Sequence, residues 1–317
     1  MSHTQKSFAI VCDSGCDILP AASAAYGVEF VPFYIHTNQG ELRDTVDLDK
    51  NEFYIQLSST KGSFSIYNPR PDDYRSCFTS LAEQGFSDII SLHTSSALRG
   101  SYQAARHAAG DIEHARIHVI DTKCISAQLA LVLAAILEDR DNNCTVEHAC
   151  EHALDVANAA RFMVIPAPAA PLLTTNELPS YKKWILNAKN LQARAMGVRR
   201  VYTMNNEGYP QEAYRAHEMH LLAGNIVRAM SLYSHRVGPL VYFEVSAGAP
   251  RMLDLLEKPL DTNEFVSYCA GTINTNPSTT RQLGVGAVGV AFVPASLVSP
   301  DACSRLVDDA VYAAAAQ

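Results

Sequence analysis

The first half of the chain alternates short apolar runs with segments of helical periodicity. FAIVCD (8–13), VEFVPFYIHT (28–37), SDIISLHT (87–94) and RIHVIDT (116–122) predict strands. Pro32 interrupts the second run and indicates an edge or a bulge there. ISAQLALVLAAILED (125–139) and TVEHACEHALDVANAA (145–160) predict helices. The alternation predicts an α/β fold with a parallel sheet covered by helices on both faces.

The second half of the chain has a less regular pattern. Residues 161–168 and 238–248 predict strands, and 282–294 predict a third strand punctuated by glycines. Residues 212–235 read as one long helix. We therefore expect two α/β lobes, an N-terminal Rossmann-like lobe over 1–160 and a C-terminal lobe over 161–317.

Composition narrows the functional classes. The 317 residues are 48% hydrophobic and carry a net charge of −8, with no basic run, which argues against nucleic-acid binding. The eight cysteines include no CxxC pair and are expected to be free thiols in a reducing compartment. No signal peptide and no apolar run long enough for a membrane span is recognised, so we expect a cytoplasmic protein.

Histidine and glycine motifs give weak signals. His148 and His152 are four residues apart on one helical face, but HExxH is absent and a solvated face is the preferred interpretation. GVGAVG (284–289) has the letters of a dinucleotide-binding motif, but no amphipathic helix follows it. The P-loop and GxSxG motifs are absent.

Polar residues follow three of the predicted strands. They are Asp13-Ser14-Gly15, Thr94-Ser95-Ser96 and Asp121-Thr122. Ligands of parallel sheets bind beyond the carboxyl ends of the strands, where helix N-termini attract anions. These groups suit a carboxylate or a phosphate, or they simply cap the helices that follow.

Five segments resemble motifs of the DegV family of bacterial fatty-acid-binding proteins, in the same order along the chain. SSALRGSYQAA (95–105) is similar to the family's SSxLSGTYQSA and is the best match. The others are DSGCDILP (13–20), IYNPRPDDY (66–74), VIDTKCIS (119–126) and QLGVGAVGVAF (282–292), similar to DSTADLP, TSQPSPEDF, VIDSKxxS and HTGPGALGVAF.

The resemblance implies two α/β lobes that bury a long-chain fatty acid between them. It implies that hydroxyl groups hold the carboxylate at the lobe junction, that the protein has no metal, cofactor or catalytic residue, and that a separate fatty acid kinase is a partner. Arg215 aligns with a family arginine on the surface facing that kinase, which makes it a candidate for partner contact.

This sequence departs from the family pattern at the head-group positions. Ile66 and Tyr67 replace the family's Thr and Ser, and Gln282 replaces its His. The resemblance therefore implies a rewired head-group site, composed of Ser95, Ser96, Gln282, Tyr67, Asn68 and Arg99. The expected lining of the acyl tunnel is Ile66, Ile125, Leu129, Phe162, Val164 and Leu172.

Two alternatives remain open at this point. The first is an enzyme that acts on a small carboxylated or phosphorylated metabolite through Asp13, Asp17, Asp121 and Ser95. The second is a divergent family member with a different ligand. A long apolar tunnel would favour the lipid, and a short polar cleft the enzyme.

Overall fold

A computed structural model describes residues 8–38, 40–59, 64–168, 170, 197–261 and 265–307. Its first sheet has four parallel strands in the order β2-β1-β6-β7. They are β1 (Ala9–Asp13), β2 (Val28–Val31), β6 (Asp88–His93) and β7 (Arg116–Asp121). β1 and β6 are buried along their whole length, as continuous apolar runs at the centre of a parallel sheet should be.

Helices cover both faces of this sheet, so the predicted α/β class is confirmed. One face packs against α3 (Pro71–Glu83) and α4 (Ser101–Ala109). The other packs against α5 (Ser126–Asp141) and α6 (Val146–Ala159).

The second sheet has six strands and is mixed. Its order is β10-β9-β8-β13-β11-β12, with antiparallel pairs except for β11 and β12. The strands are β8 (Arg161–Ile165), β9 (Arg199–Met204), β10 (Pro210–Ala216), β11 (Leu240–Ser246), β12 (Ser267–Asn274) and β13 (Val288–Pro294). Its outer face is covered by α7 (Met219–Val237) and α8 (Pro250–Asp261).

Helix α5 lies between the two sheets. It is buried on nearly all sides, and its apolar residues share one core with β1 and β6 of the first sheet and with β8, β11 and β13 of the second. A helix that is hydrophobic all round has to be buried all round, which explains its sequence. The strands of the first sheet precede residue 160 and those of the second follow it, yet one core joins them. The division into lobes at 160/161 stays a prediction.

A small third sheet lies beside the first. It is antiparallel in the order β4-β3-β5, with β3 (Tyr34–Thr37), β4 (Gly40–Arg43) and β5 (Ser65–Tyr67), and α2 (Lys50–Ser59) packs on it. The predicted strand over 28–37 is therefore two strands in different sheets, separated at Pro32. Proline cannot donate to a central ladder, and the chain leaves the first sheet there.

The predicted helix over 212–235 is wrong in its first part. Residues 210–216 form β10, whose burial alternates strictly along its length, and α7 begins only at Met219. The alternation is a period of two, and pairing with β9 overrides the helical propensity of this segment. No helix within the described ranges combines the length and hydropathy needed to cross a membrane.

The chain returns to the first sheet through α9 (Pro277–Leu283). The Asn276 backbone N–H donates to Asp17 Oδ1 at 2.9 Å, and its side-chain amide donates to the Ser14 carbonyl at 3.0 Å. The Ser278 hydroxyl donates to Asp44 Oδ2 at 2.5 Å. These bonds bring α9 to the carboxyl end of β1, next to the predicted site. Two further short helices are α1 (Pro20–Ala25), which follows β1, and α10 (Pro300–Ser304), which follows β13.

Candidate functional site

Asp13 joins the carboxyl ends of β1 and β6. Its carboxylate is fully buried and accepts hydrogen bonds from the Thr94 hydroxyl at 2.6 Å, the Thr94 N–H at 2.9 Å and the Ser101 hydroxyl at 2.6 Å. Burial raises the pKa of Asp13, but His93 and the two hydroxyls outweigh burial and hold the pKa below its usual value. Asp13 is therefore an ionised acceptor that organises the turn after β6.

His93, the last residue of β6, contacts Asp13 from within the sheet. It is fully buried, with Nε2 at 2.8 Å from the Ser91 hydroxyl and Nδ1 at 3.7 Å from Asp13 Oδ2. Its ring packs edge-on against Tyr74, with 5.3 Å between centroids. These contacts make His93 a structural partner of Asp13.

The turn after β6, Thr94-Ser95-Ser96, is called the hydroxyl turn below, and the donors of both serines are already used within the protein. The Ser95 hydroxyl donates to the Gly208 carbonyl at 2.8 Å, and the Ser95 N–H donates to the Cys124 carbonyl at 2.9 Å. The Ser96 hydroxyl and N–H both donate to Asp121, at 2.6 and 3.0 Å. Both serines were predicted to hold a head group. A carboxylate would reach their protons only if they exchanged these partners.

The contact between Ser95 and Gly208 joins two distant parts of the chain. Gly208 lies in the turn between β9 and β10, which the Asn205 side chain closes by accepting from Glu207 and Tyr209 N–H groups. Gly208 has φ of +82°, and a Cβ there would overlap the Ser95 hydroxyl and lie 3.1 Å from the Lys123 Cβ. Only glycine allows this close approach.

Arg99 and Gln282 meet at the edge of the same turn. The Gln282 amide oxygen faces the guanidinium and accepts from Arg99 Nη2 and, at 3.3 Å, from Nε. The guanidinium also lies over the Phe33 ring, 5.5 Å from its centroid. Burial lowers the pKa of Arg99 to about 10, and Asp13 and Asp44 oppose that shift, so Arg99 stays charged at neutral pH. Within the described ranges no carboxylate oxygen lies within 4.0 Å of this cation.

Two further buried carboxyl groups adjoin the site. The sequence singled out Asp17 only under the enzyme alternative and did not single out Asp44. Asp44 accepts from the hydroxyls of Ser14 and Ser278, and Asp17 accepts from the Ser126 hydroxyl at 2.5 Å. Burial raises the pKa of Asp44 to about 6 and that of Asp17 to about 7. Asp17 follows the short turn after β1 with φ of +61°, a conformation that Asp and Asn adopt more readily than other non-glycine residues. Nothing in the sequence near Asp44 indicates its partners.

The other predicted head-group residues lie on β5 and just after it. The exposed Tyr67 ring stacks on His36 at 4.0 Å between centroids. Asn68 lies over Gly100 at the start of α4, where a Cβ would come within 2.8 Å of its amide nitrogen. Half-buried Ile66 packs against the small core of the third sheet. Asn68 thus borders the turn that carries Arg99.

The predicted tunnel residues occupy packed core. Ile125, Leu129, Phe162 and Val164 are exposed by 0 to 4% and belong to the core around α5. Leu172 lies outside the described residues. An acyl chain would reach these four side chains only if they moved apart, because protein cores pack without room for one.

A cleft of about 280 Å³ has Asp17 in its lining. Its lining includes Asp17, Ile18, Lys50, Thr272, Ile273, Asn274 and Val307. Lys50 donates to the Asn274 carbonyl at 3.2 Å, and burial lowers its pKa while Asp17 opposes that shift. The cleft is short and mixed in polarity.

Arg215, the predicted partner contact, lies on β10 with its side chain 69% exposed and pairs with Glu212 at 2.6 Å.

Comparison with known proteins places this arrangement in context. A DegV domain-containing protein of Deinococcus radiodurans is 31% identical over 125 residues, which cover 39% of this chain and 44% of that protein. One from Listeria monocytogenes is 26% identical over 41% of this chain and 47% of its own length. The chain therefore aligns with about half the length of these curated relatives.

Solved structures match over a larger share of the chain. A DegV family protein from Thermus thermophilus, described as binding fatty acid, superposes with a TM-score of 0.79 at 17% identity, covering 91% of this chain and 99% of that one. A stearic acid-binding protein from Eubacterium ventriosum gives 0.78 at 18% identity, covering 90% and 98%. At this identity the likeness shows the fold. The sequence profile described as uncharacterised protein, DegV family, matches residues 7–191, and the chain belongs to that family.

Proposed function

We propose that this protein binds a long-chain fatty acid, with the carboxylate at Arg99 and Gln282 and the acyl chain in the core around α5. The observation that carries the proposal is the guanidinium of Arg99, which is charged, partly shielded from water and partnered by a neutral amide. A bidentate guanidinium is well suited to a carboxylate. The relatives from Thermus thermophilus and Eubacterium ventriosum, described as fatty-acid binders, support this ligand class.

The proposal shifts the head-group role within the predicted set. The Ser95 hydroxyl donates a hydrogen bond to the Gly208 carbonyl, and the Ser96 hydroxyl donates one to Asp121. We therefore assign both serines to shaping the turn. The same orientation turns the Gln282 N–H groups toward acceptors of the protein, so they would donate to a ligand only by exchanging those partners. Asn68 borders this position through Gly100, whereas the Tyr67 ring stacks on His36.

The acyl chain would provide most of the binding free energy. Each buried methylene contributes about 0.8 kcal/mol, so a chain of palmitate length far exceeds the contribution of the head group. Ile125, Leu129, Phe162 and Val164 are packed together in this structure. We therefore expect binding to separate them, with α5 shifting against the second sheet.

The test is binding of palmitate to delipidated protein, measured by native mass spectrometry and by titration calorimetry. Arg99→Met keeps the length of the side chain and removes the charge. We expect it to weaken binding about 10- to 100-fold, since a hydrogen bond to a charged group is worth about 1.5–3 kcal/mol. Arg106→Gln on α4 removes an exposed arginine that stacks on Tyr102 and is the matched control, with unchanged binding expected.

Two outcomes would contradict the proposal. Delipidated wild-type protein that takes up no fatty acid would refute the ligand class. Equal palmitate affinity in Arg99→Met and wild type would refute the head-group assignment while leaving the ligand class standing.

We further propose that the loaded protein presents its ligand to a fatty acid kinase in the cytoplasm. Arg215 is exposed and on an edge strand, as a contact residue should be. Arg215→Ala is expected to leave palmitate affinity unchanged and to slow acyl phosphate formation by a purified fatty acid kinase. Equal rates for both proteins would remove Arg215 from the contact.

A second candidate ligand is a small anion in the cleft beside Lys50. The observation that favours it is the short cleft of mixed polarity, in which Lys50 approaches Asp17. The same calorimetry with acetate and with inorganic phosphate tests it, and Lys50→Met should abolish any heat they produce.

Enzyme chemistry at Asp13 and Asp121 is disfavoured, because both carboxylates are occupied as acceptors for the turn after β6.

A further inference from the structure

Three metal-ligating side chains converge where α5 ends and α6 begins. They are Asp139 in the last turn of α5, Cys144 in the connecting turn and His148 in the first turns of α6. One ligand atom from each lies within 4.8 Å of the other two. This cluster is separate from the Arg99 site, and nothing in the proposed function uses it.

The backbone between the helices fixes these positions. The Cys144 N–H donates to the Asp139 carbonyl at 2.9 Å, and Asn143 takes a φ of +57° to make the turn. Thr145 caps α6 by accepting from the His148 N–H at 3.2 Å. The three ligands therefore come from ten consecutive residues held by a formed turn and a capped helix, so little chain entropy remains to be lost on binding a metal.

Asp139 is a buried carboxylate that lacks a permanently charged partner. Its side chain is 8% exposed, and within the described ranges its ion-pair partners are His152 at 2.8 Å and His148 at 3.8 Å. Arg140, the next residue, instead donates to the carbonyls of Tyr26 and Gly27. Within the described ranges this carboxylate therefore faces two imidazoles and no guanidinium or ammonium group.

We propose that this cluster is a zinc site formed by Asp139 Oδ1, Cys144 Sγ and His148 Nε2, with water as the fourth ligand. Thiolate, imidazole and carboxylate together are the ligand set that Zn²⁺ prefers. Ligands of a tetrahedral zinc lie about 3–4 Å apart, and His148 Nε2 is already 3.8 Å from Asp139 Oδ1. The His148 side chain is 59% exposed, so its ring can adjust toward the other two ligands without displacing packed core. On binding, Cys144 gives up its thiol proton to solvent.

His152 completes the site as a positioning residue. Its Nδ1 lies 2.8 Å from Asp139 Oδ2, the oxygen opposite the one that would bind zinc. An outer partner of this kind orients a ligating carboxylate. The pair His148 and His152, interpreted from the sequence as a solvated face, gains its second meaning only because the turn brings Asp139 and Cys144 beside it.

The test uses the full chain, freed of metal with a chelator and titrated with Zn²⁺ and with Co²⁺. We expect one equivalent of either metal, a thiolate-to-cobalt charge-transfer band, and a rise in Tm with Zn²⁺. Cys144→Ser should abolish the band, and His148→Gln should weaken Zn²⁺ affinity at least about 10-fold. His152→Ala should keep one equivalent and the band but weaken affinity by about 10- to 100-fold.

Controls remove exposed groups of the same types elsewhere. Cys269→Ser and His220→Ala should bind both metals as wild type does. The proposal is overturned if wild type binds no Zn²⁺ with a Kd below about 1 μM, or if Cys144→Ser keeps the cobalt band. It is also overturned if Cys269→Ser loses the band instead, since the metal would then sit on that thiol.

Discussion

Replacing Gly208 with alanine tests how the β9–β10 turn docks on the hydroxyl turn. Gly208 has φ of +82°, and its new Cβ would overlap the Ser95 hydroxyl and crowd Lys123. Left-handed backbone costs a non-glycine residue about 1–2 kcal/mol. Displacing the Ser95 hydroxyl from the Gly208 carbonyl costs about 1 kcal/mol more. We expect Gly208→Ala to lower the free energy of unfolding by about 2–3 kcal/mol.

Two other glycines separate these contributions. Gly197 has φ of +68° with open space around it, so Gly197→Ala should cost only the backbone part. Gly224 lies inside α7 with ordinary φ and open space, so Gly224→Ala should stabilise the protein by up to about 1 kcal/mol.

The assay is urea denaturation followed by far-UV circular dichroism, with all variants compared at one pH. The double variant Ser95→Ala/Gly208→Ala adds a cycle. Removing the hydroxyl relieves the overlap, so Gly208→Ala should cost less by at least about 0.5 kcal/mol in that background. Equal costs for Gly208→Ala and Gly197→Ala would refute the reasoning, since the contact with Ser95 would then contribute nothing.

Three further predictions concern buried groups. Burial raises the pKa of Asp17 from 3.8 to about 7, so ionisation destabilises the fold as pH rises between those values. In urea titrations from about pH 5.5 to about pH 8, wild type should lose about 2 kcal/mol more than Asp17→Asn does, while the dependence due to Asp44 remains in both proteins. Leu129→Ala should cost about 2–5 kcal/mol by the same assay, and a loss under 1 kcal/mol would mean a loosely packed core. Asp13→Asn should cost about 1–3 kcal/mol for each donor left unsatisfied, while the exposed Asp254→Asn should leave the urea midpoint unchanged.

Local sequence patterns predicted correctly those strands and helices whose local preference agrees with the tertiary packing. The apolar run at 8–13 became β1 and the apolar segment at 125–139 became α5, because a segment that is apolar throughout can only be buried. The segment at 212–235 failed because β10 depends on pairing with β9, and pairing between strands is not a property of either sequence alone.

The candidate site shows the same limit. The strand-end residues Asp13, Thr94 and Asp121 were predicted to lie together, and parallel strands do bring them to one edge. Their use was not predictable, because hydrogen-bond partners such as Gly208 for Ser95 lie more than one hundred residues away. The meeting of Arg99 with Gln282 likewise depends on how α9 returns to β1.

The sequence by itself determined the α/β class, the membership in the DegV family and the edge of the sheet where polar groups collect. Those follow from period, composition and local turn chemistry, which act over a few residues. The tertiary structure decided which donors are already used, which cation lacks a carboxylate partner and which histidines meet a cysteine. Those outcomes depend on contacts between segments far apart in the chain, and only the packed fold determines them.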